Sequence, residues 1–234
     1  MFLVLTPVEA LPQPQLSSTD QARLATFSHP QRRQEFLAGR ALLQRYGLNR
    51  LRYDSDGKPD SADGRALSLS HSAGWLALAL ADDLAADKSV ALGVDLEWPR
   101  PRRDLNALRE RCLKVADAEW QQASIEARSQ LFYLAWVVRE AIAKADGRGL
   151  GWSFSALQLA GGWQADGAPW LQVQADIALQ LWGWQLASGH YLGCARVAAA
   201  LPLAPPPLLH LPPKQQACLL WQGQSFCDSN YFAL

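Results

Sequence analysis

The segment Val90–Trp98 places the tightest constraint on how this chain can fold. Apolar residues alternate there with small or acidic ones, as Val90, Leu92, Val94 and Leu96 against Ala91, Gly93, Asp95 and Glu97. A period of two is typical of a β-strand, whose successive side chains point to opposite faces. Asp95 and Glu97 therefore share one face. Two adjacent carboxylates suit a hard cation such as Mg²⁺, and an edge strand with solvated charges is the alternative interpretation.

A second pattern lies downstream, where Ser129–Asp146 has the spacing of a long amphipathic helix ending at Gly147. Trp136, Glu140 and Lys144 are four residues apart and form one stripe on it. An ordinary exposed ion pair is the simplest interpretation of such a stripe. Together with the acidic strand, however, the stripe predicts a metal bound to a pyrophosphate, with Lys144 meeting the charge on a leaving phosphate. The glycines of 147–151 are expected to cap the helix and begin a loop.

The remaining segments mix helical and strand patterns. Residues 18–47 have helical spacing, with a second helix that starts at Pro30 and ends at Gly47. Residues 54–63 have the composition of a turn or loop, and residues 66–81 that of strand, turn and strand. Further short strands are predicted at Ala156–Leu159, Trp170–Gln174, Leu179–Leu186 and Tyr191–Ala198.

The order of these segments indicates two halves. The segment Pro99–Arg103 is a candidate linker, and Ser72–Ala81 has a weak echo in Ser188–Ala198. We therefore expect an N-terminal half over residues 1–98 and a C-terminal half over residues 99–200. Prolines are frequent after Leu201, which predicts a wrapping tail over residues 201–234.

Composition excludes several classes of protein. The chain has 234 residues, of which 49% are hydrophobic, and its 22 basic side chains balance 22 acidic ones. A core can form, but no net field gathers nucleic acid or a membrane surface. We expect no secretory signal and no membrane-spanning segment. Four cysteines without Cys-x-x-Cys spacing argue against a zinc ribbon or a disulfide framework, so a reduced, cytoplasmic protein is expected.

Candidate phosphate-binding residues precede the acidic strand. Ser70, His71 and Ser72 come at the end of a predicted strand, where an imidazole and hydroxyls can donate to phosphate oxygens. A turn in which serine is a natural residue is the alternative. Arg40 and Lys58 are basic candidates for the same task, although solvated surface is the default for such side chains.

Six motifs in order resemble a known family. They are Ala38-Gly-Arg-Ala-Leu-Leu43, Asp56-Gly-Lys-Pro59, Leu69-Ser-His-Ser72, Leu92-Gly-Val-Asp-Leu-Glu97, Ala135-Trp-Val-Val-Arg-Glu-Ala-Ile-Ala-Lys144 and Gly147-Arg-Gly-Leu150. Through them the chain resembles the 4′-phosphopantetheinyl transferases of the surfactin-synthetase-activating type. The resemblance implies a pseudo-dimeric α/β (α+β) fold, in which two similar halves have the active site between them.

That family transfers the phosphopantetheine arm of coenzyme A to a serine of an acyl-carrier or peptidyl-carrier protein, and adenosine 3′,5′-bisphosphate leaves. The resemblance implies a Mg²⁺ cofactor, for which Mn²⁺ can substitute, and we expect a monomer without nucleic-acid or membrane partners. The basic Arg100, Arg102 and Arg103 are candidates for docking the acidic carrier, with a solvated linker as the alternative. A non-catalytic carrier-binding module and a magnesium-dependent nucleotide hydrolase stay open as other functions.

The resemblance also implies roles for single residues. Asp95, Glu97 and Glu140 would bind the metal, with Glu140 also the preferred general base, and Lys144 would assist the leaving phosphate. One residue departs from the family motif, because Arg139 stands where lysine is usual. Ser70 and His71 would hold phosphate, and Arg40 would reach the 3′-phosphate. The full set of implied coenzyme A contacts is Arg40, Lys58, Ser70, His71, Asp95 and Lys144.

Overall fold

The computed structural model describes residues 1–53, 59–81, 90–100, 104–197, 205–206, 208–210 and 217–226. Its helices are α1 (Ser18–Ala25), α2 (Pro30–Arg45), α3 (Leu105–Cys112), α4 (Asp117–Gln122), α5 (Ile125–Asp146) and α6 (Gly149–Ala156). Its strands are β1 (Phe2–Pro7), β2 (Leu51–Tyr53), β3 (Pro59–Ser61), β4 (Leu67–Ser72), β5 (Trp75–Leu80), β6 (Leu92–Glu97), β7 (Gln158–Trp163), β8 (Pro169–Gln174), β9 (Leu179–Leu186), β10 (Tyr191–Val197), β11 (Leu208–His210) and β12 (Ala217–Phe226). The predicted α/β (α+β) class is confirmed.

The described strands assemble into two larger sheets and one hairpin. A four-stranded sheet has the order β11-β1-β5-β4, a six-stranded sheet has the order β6-β10-β9-β12-β8-β7, and β2 pairs with β3. The predicted strand-turn-strand over 66–81 is the β4–β5 hairpin, which pairs Ser72 with Trp75. Residues after 200 add β11 and β12 to the two larger sheets. The division of the chain at residues 98 and 200 stays a prediction.

Local sequence explains where the long helix begins and ends. The hydroxyl of Ser124 accepts from the backbone N–H of Ala127 at 3.1 Å and caps α5, which therefore starts before the predicted Ser129. At the other end Gly147 adopts a left-handed conformation with φ 84°, as a C-terminal glycine does. In the described part of the chain, no helix is both long and apolar enough to cross a membrane.

The prediction of a loop after this helix is wrong beyond Arg148. Residues Gly149–Ala156 form α6, which packs back on α5 with the rings of Phe154 and Trp136 6.3 Å apart. The glycine content indicated a loop, but tertiary packing stabilises short helices that propensity alone does not. The strand predicted at Ala156–Leu159 accordingly begins later, at Gln158.

Helix α5 lies directly on the backbone of β6 and β10. A Cβ on Gly93 would lie 1.8 Å from the carbonyl oxygen of Ala141, and one on Gly193 would lie 2.3 Å from that of Val137. Glycine at these positions allows the close approach of helix and strand. Helix α5 therefore fills the space beside Gly93. This contact packs the acidic face of β6 on the helix that carries Glu140.

The two larger sheets meet edge to edge at β4 and β6, where serine hydroxyls accept backbone hydrogen bonds. We name these contacts the serine ladder, and they are Val94 N to Ser68 Oγ at 3.0 Å, Leu96 N to Ser70 Oγ at 3.3 Å and Trp98 N to Ser72 Oγ at 3.0 Å. The contacts advance two residues at a time on each strand, so β4 and β6 run in the same direction. The ladder places the end of one sheet beside the acidic strand of the other.

Candidate active site

Strand β6 and helix α5 bring together four of the predicted residues. Asp95 and Glu97 lie on β6, and Glu140 and Lys144 lie one turn apart on α5. The Lys144 ammonium donates to Asp95 Oδ1 at 2.7 Å and to the carbonyl oxygen of Val94 at 3.0 Å. Asp95 is 5% exposed, so solvent screens this ion pair only weakly. We call Asp95, Glu97 and Glu140 the carboxylate cluster.

Burial and the neighbouring charges both act on the carboxyl group of Glu140. The pKa of Glu140 is raised to about 7, chiefly by burial, with the charge of Asp95 and then that of Glu97 adding to the rise while Lys144 opposes it. A carboxyl group with this pKa exchanges its proton readily near neutral pH. That property is typical of catalytic acids and bases.

The donor chemistry of the carboxylate cluster fits a hard divalent cation. Asp95 Oδ2 is buried and has no hydrogen-bond partner among the described residues, so its lone pairs can serve a ligand. Carboxylate oxygens are donors that Mg²⁺ prefers. Within the described ranges, no three acidic, histidine or cysteine side chains are already grouped so that they could hold an ion by themselves. Oxygens of a substrate or of water would complete such a site.

His71 lies near the cluster on β4. Its Nε2 is 2.8 Å from an Arg32 nitrogen, and its Nδ1 is 3.3 Å from a Glu35 oxygen. Its pKa is lowered, chiefly by burial. The charge of Lys144 lowers this pKa further, and the charge of Asp95 opposes the decrease. Sequence reasoning selected neither Arg32 nor Glu35. The basic residues at the start of α2 were the available signal, but the sequence does not show which of them turns toward β4.

Arg40 lies in the packing between α1 and α2. It is 6% exposed, its Nε is 3.5 Å from Asp20 Oδ1, and its guanidinium lies 4.8 Å from the centre of the Phe36 ring. The contact with Asp20 joins the two helices, and the contact with Phe36 lies within α2. Lys58 lies outside the described residues, so the role implied for it stays a prediction.

The Arg139 side chain is directed away from the carboxylate cluster, to which its neighbour Glu140 belongs. Its guanidinium is buried and donates to the backbone carbonyls of Ser153, of Leu157 at 3.3 Å and of Cys112 at 2.8 Å. Burial lowers the pKa of this guanidinium. Arg139 thus joins α6 and the end of α3 to α5. The departure from the family motif falls on a structural contact.

A groove of about 380 Å³ lies beside the segment that follows Glu97. Its lining includes Pro99, Arg100, Ile125, Arg128 and Tyr133. Ile125 is 69% exposed, which is unusual for a large apolar side chain. Of the three basic docking candidates, Arg100 lines this groove, whereas Arg102 and Arg103 lie outside the described residues.

Known proteins show similarity over the range that contains β6 and α5. Residues 91–200 match the family model of the 4′-phosphopantetheinyl transferase superfamily. The chain is 30% identical over 203 residues to the 4′-phosphopantetheinyl transferase HetI of Nostoc sp., covering 75% of this chain and 83% of HetI. A Haemophilus influenzae protein, provisionally named a 4′-phosphopantetheinyl transferase, is 33% identical over 107 residues, covering 44% of this chain and 43% of that protein.

These similarities assign the class of the protein. The chain belongs to the 4′-phosphopantetheinyl transferase superfamily, and it is a transferase. Membership implies transfer of phosphopantetheine to carrier proteins, with a carrier protein and coenzyme A as partners. The strand that carries Asp95 and Glu97 and the helix that carries Glu140 and Lys144 both lie inside the matched range.

Proposed function

We propose that this protein transfers the 4′-phosphopantetheine arm of coenzyme A to a serine of an apo acyl-carrier or peptidyl-carrier protein and releases adenosine 3′,5′-bisphosphate. The observation that supports this best is the meeting of β6 and α5. Lys144 pairs there with Asp95 at 2.7 Å, beside Glu140 with its pKa of about 7. Phosphoryl-type transfer requires such groups, which bind a cation, accept a proton and stabilise a leaving anion.

Asp95, Glu97 and Glu140 are the proposed ligands of Mg²⁺ or Mn²⁺. When bound, the cation would orient the pyrophosphate of coenzyme A and neutralise charge that builds during transfer. Asp95 Oδ1 is engaged by Lys144 at 2.7 Å and by Ser70 at 2.9 Å. Its Oδ2 is therefore the oxygen that the protein holds ready for this role.

Glu140 is the proposed general base. The hydroxyl oxygen of the carrier serine forms a bond to the β-phosphorus of coenzyme A while its proton passes to the Glu140 carboxylate. The bond from that phosphorus to the bridging oxygen breaks, and its electron pair leaves with adenosine 3′,5′-bisphosphate. Without a cation the pKa of Glu140 is about 7, so the group exists in both protonated and ionised forms near neutral pH, and a cation bound beside it would favour the ionised form that accepts a proton.

Lys144 and His71 are proposed to serve the phosphates. The Lys144 ammonium would stabilise the bisphosphate most as it departs, because the negative charge on that group is then greatest. His71 would hold a phosphate together with Arg32, whose nitrogen is 2.8 Å from Nε2, and its Nδ1 would exchange the Glu35 oxygen at 3.3 Å for a phosphate oxygen. We keep Arg40 and Lys58, which the family resemblance assigns to the adenosine end, as proposed contacts.

The groove with Ile125 is the proposed dock for the carrier protein. Its exposed isoleucine offers apolar contact, and Arg100 and Arg128 offer positive charge to an acidic partner. Pro99, which lines the groove, follows Glu97 closely in the chain. A carrier docked here would present its serine near the carboxylate cluster.

We further infer that the protein is a phosphopantetheinyl transferase of the surfactin-synthetase-activating type. Its two halves would span residues 1–98 and 99–200, and it would act as a monomer in the cytoplasm. The six motifs support the type, and the two sheets that meet at the serine ladder support an active site between halves. The free thiols of Cys112 and Cys194 are consistent with a reducing compartment.

Mass spectrometry of an apo-carrier protein tests this function against its alternatives. With coenzyme A and Mg²⁺, the protein should add the mass of phosphopantetheine to the carrier. A non-catalytic carrier-binding module would leave the carrier mass unchanged, and a nucleotide hydrolase would consume coenzyme A without any carrier. The matched control is Glu140→Gln, which keeps the size of the side chain and should leave the carrier unmodified.

A further inference from the structure

Ser70 differs from the other two serines of the serine ladder. All three hydroxyls accept a backbone N–H from β6, and Ser68 and Ser70 are similarly buried, at 4% and 6% exposure. Ser70 alone among the three also contacts charged side chains in the described structure. Its hydroxyl donates to Asp95 Oδ1 at 2.9 Å and accepts from the Lys144 ammonium at 2.9 Å.

These contacts use the full hydrogen-bonding capacity of the Ser70 hydroxyl. A serine hydroxyl has one donor hydrogen and two acceptor lone pairs. The hydrogen goes to Asp95, and the lone pairs take the N–H of Leu96 and the ammonium of Lys144. No hydrogen bond is left to donate to a phosphate oxygen, and the side chain is nearly closed to solvent. A direct phosphate contact, which the family resemblance implies for Ser70, does not fit this arrangement.

We propose that Ser70 is a positioning residue, which fixes the Asp95 carboxylate as a cation ligand and holds the Lys144 ammonium beside it through hydrogen bonds to both. This role rests on the proposed transfer of phosphopantetheine. Ser70 holds Asp95 by Oδ1 and so leaves Oδ2, the oxygen without a described partner, for a cation. It also links the four-stranded sheet to the charged residues on the six-stranded sheet and on α5.

The test compares Ser70→Ala with Ser68→Ala, which loses a ladder hydrogen bond at similar burial but touches neither charged group. The measurements are kcat and the KM for coenzyme A with an apo-carrier, and the Kd for Mn²⁺ by calorimetric titration. Ser70→Ala should lower kcat and weaken Mn²⁺ binding by about tenfold to a hundredfold, the range for residues that orient metal ligands. Its KM for coenzyme A should change by less than about threefold, because no direct contact is lost. Ser68→Ala should match the native protein in all three.

Three results would overturn the proposal. A raised KM with unchanged kcat and Mn²⁺ affinity in Ser70→Ala would assign Ser70 to direct phosphate binding. Equal losses in Ser68→Ala would show that the ladder matters only as structure. Failure of Ser70→Thr, which restores the hydroxyl, to recover Mn²⁺ affinity would also contradict positioning. If the native protein itself modifies no carrier, the proposed function fails, and the Mn²⁺ titrations of the same variants still decide the role of Ser70.

Discussion

Replacing Arg139 tests whether this residue stabilises the fold while the adjacent Glu140 takes part in the reaction. Arg139 donates to backbone carbonyls of Ser153, Leu157 and Cys112, while the adjacent Glu140 belongs to the carboxylate cluster. The substitutions are Arg139→Met, which removes the guanidinium, and Arg139→Lys, which introduces the residue usual in the family motif. Both should destabilise the protein and leave turnover of the folded enzyme unchanged.

The size of the effect follows from the carbonyls that lose their donor. A hydrogen bond to a charged group contributes about 1.5–3 kcal/mol, and the apolar methionine regains part of the loss by burial, so Arg139→Met should lower the free energy of unfolding by about 3 kcal/mol. For a chain of this size that corresponds to a decrease in Tm of about 6–12 °C. A lysine ammonium lacks the planar fork of arginine and reaches fewer carbonyls. Arg139→Lys should therefore lower the free energy of unfolding by about 1–2 kcal/mol.

The assay is urea unfolding followed by circular dichroism, beside steady-state kinetics at a temperature where all variants are folded. Glu140→Gln is the neighbouring control, with the opposite expectation of lost turnover and no loss of stability. A fall of more than about tenfold in kcat for Arg139→Lys without loss of stability would refute the structural role, because it would place the guanidinium among the reacting groups.

Five further predictions concern the carboxylate cluster and the helix that packs on it. Glu140→Gln should lower kcat by about a hundredfold or more, and Lys144→Ala should lower kcat while retaining Mn²⁺ binding, as single-turnover kinetics and titration can show. The pKa of Glu140 is about 7 in the folded protein against an ordinary 4.5, so its contribution to stability is complete below about pH 4.5 and is lost as pH rises to 7. Urea titrations of the metal-free protein should show this decrease in the free energy of unfolding, and Glu140→Gln should abolish the decrease. Excess chelator should abolish transfer until Mg²⁺ or Mn²⁺ is restored, and undiminished transfer would exclude the carboxylate cluster as a metal site. Gly93→Ala should fail to fold or lose at least about 3 kcal/mol of unfolding free energy, because its Cβ would lie 1.8 Å from a backbone oxygen of α5, whereas unaltered urea unfolding would contradict that contact.

Periodicity in the sequence predicted the elements that carry the site. The alternation around Asp95 required a strand, and the four-residue spacing of Glu140 and Lys144 required one face of a helix. Both elements occur as expected, and the structure brings the faces together. The local sequence does not predict that Gly93 lies against the backbone of α5. A glycine in a strand indicates only that a side chain is missing, and the reason depends on which element packs there.

Contacts between distant segments lay beyond sequence reasoning. Arg139 and Glu140 are adjacent, yet one is directed to α6 and the other to β6, and that difference depends on which elements pack on each face of α5. The sequence around Ser70 and Ser72 was consistent with a phosphate site or a turn. Their role in the serine ladder depends on β6 lying beside β4, a pairing between edges of two sheets that composition does not encode.

The most direct test of the central claim is the stoichiometry of products in a single reaction. Apo-carrier, coenzyme A and Mg²⁺ are incubated with the native protein, the modified carrier is quantified by intact mass, and adenosine 3′,5′-bisphosphate is quantified by chromatography. We predict one bisphosphate released for each phosphopantetheine attached to a carrier serine, and neither product with Glu140→Gln. Bisphosphate formed without modified carrier, or carrier modified equally well by Glu140→Gln, would contradict the account.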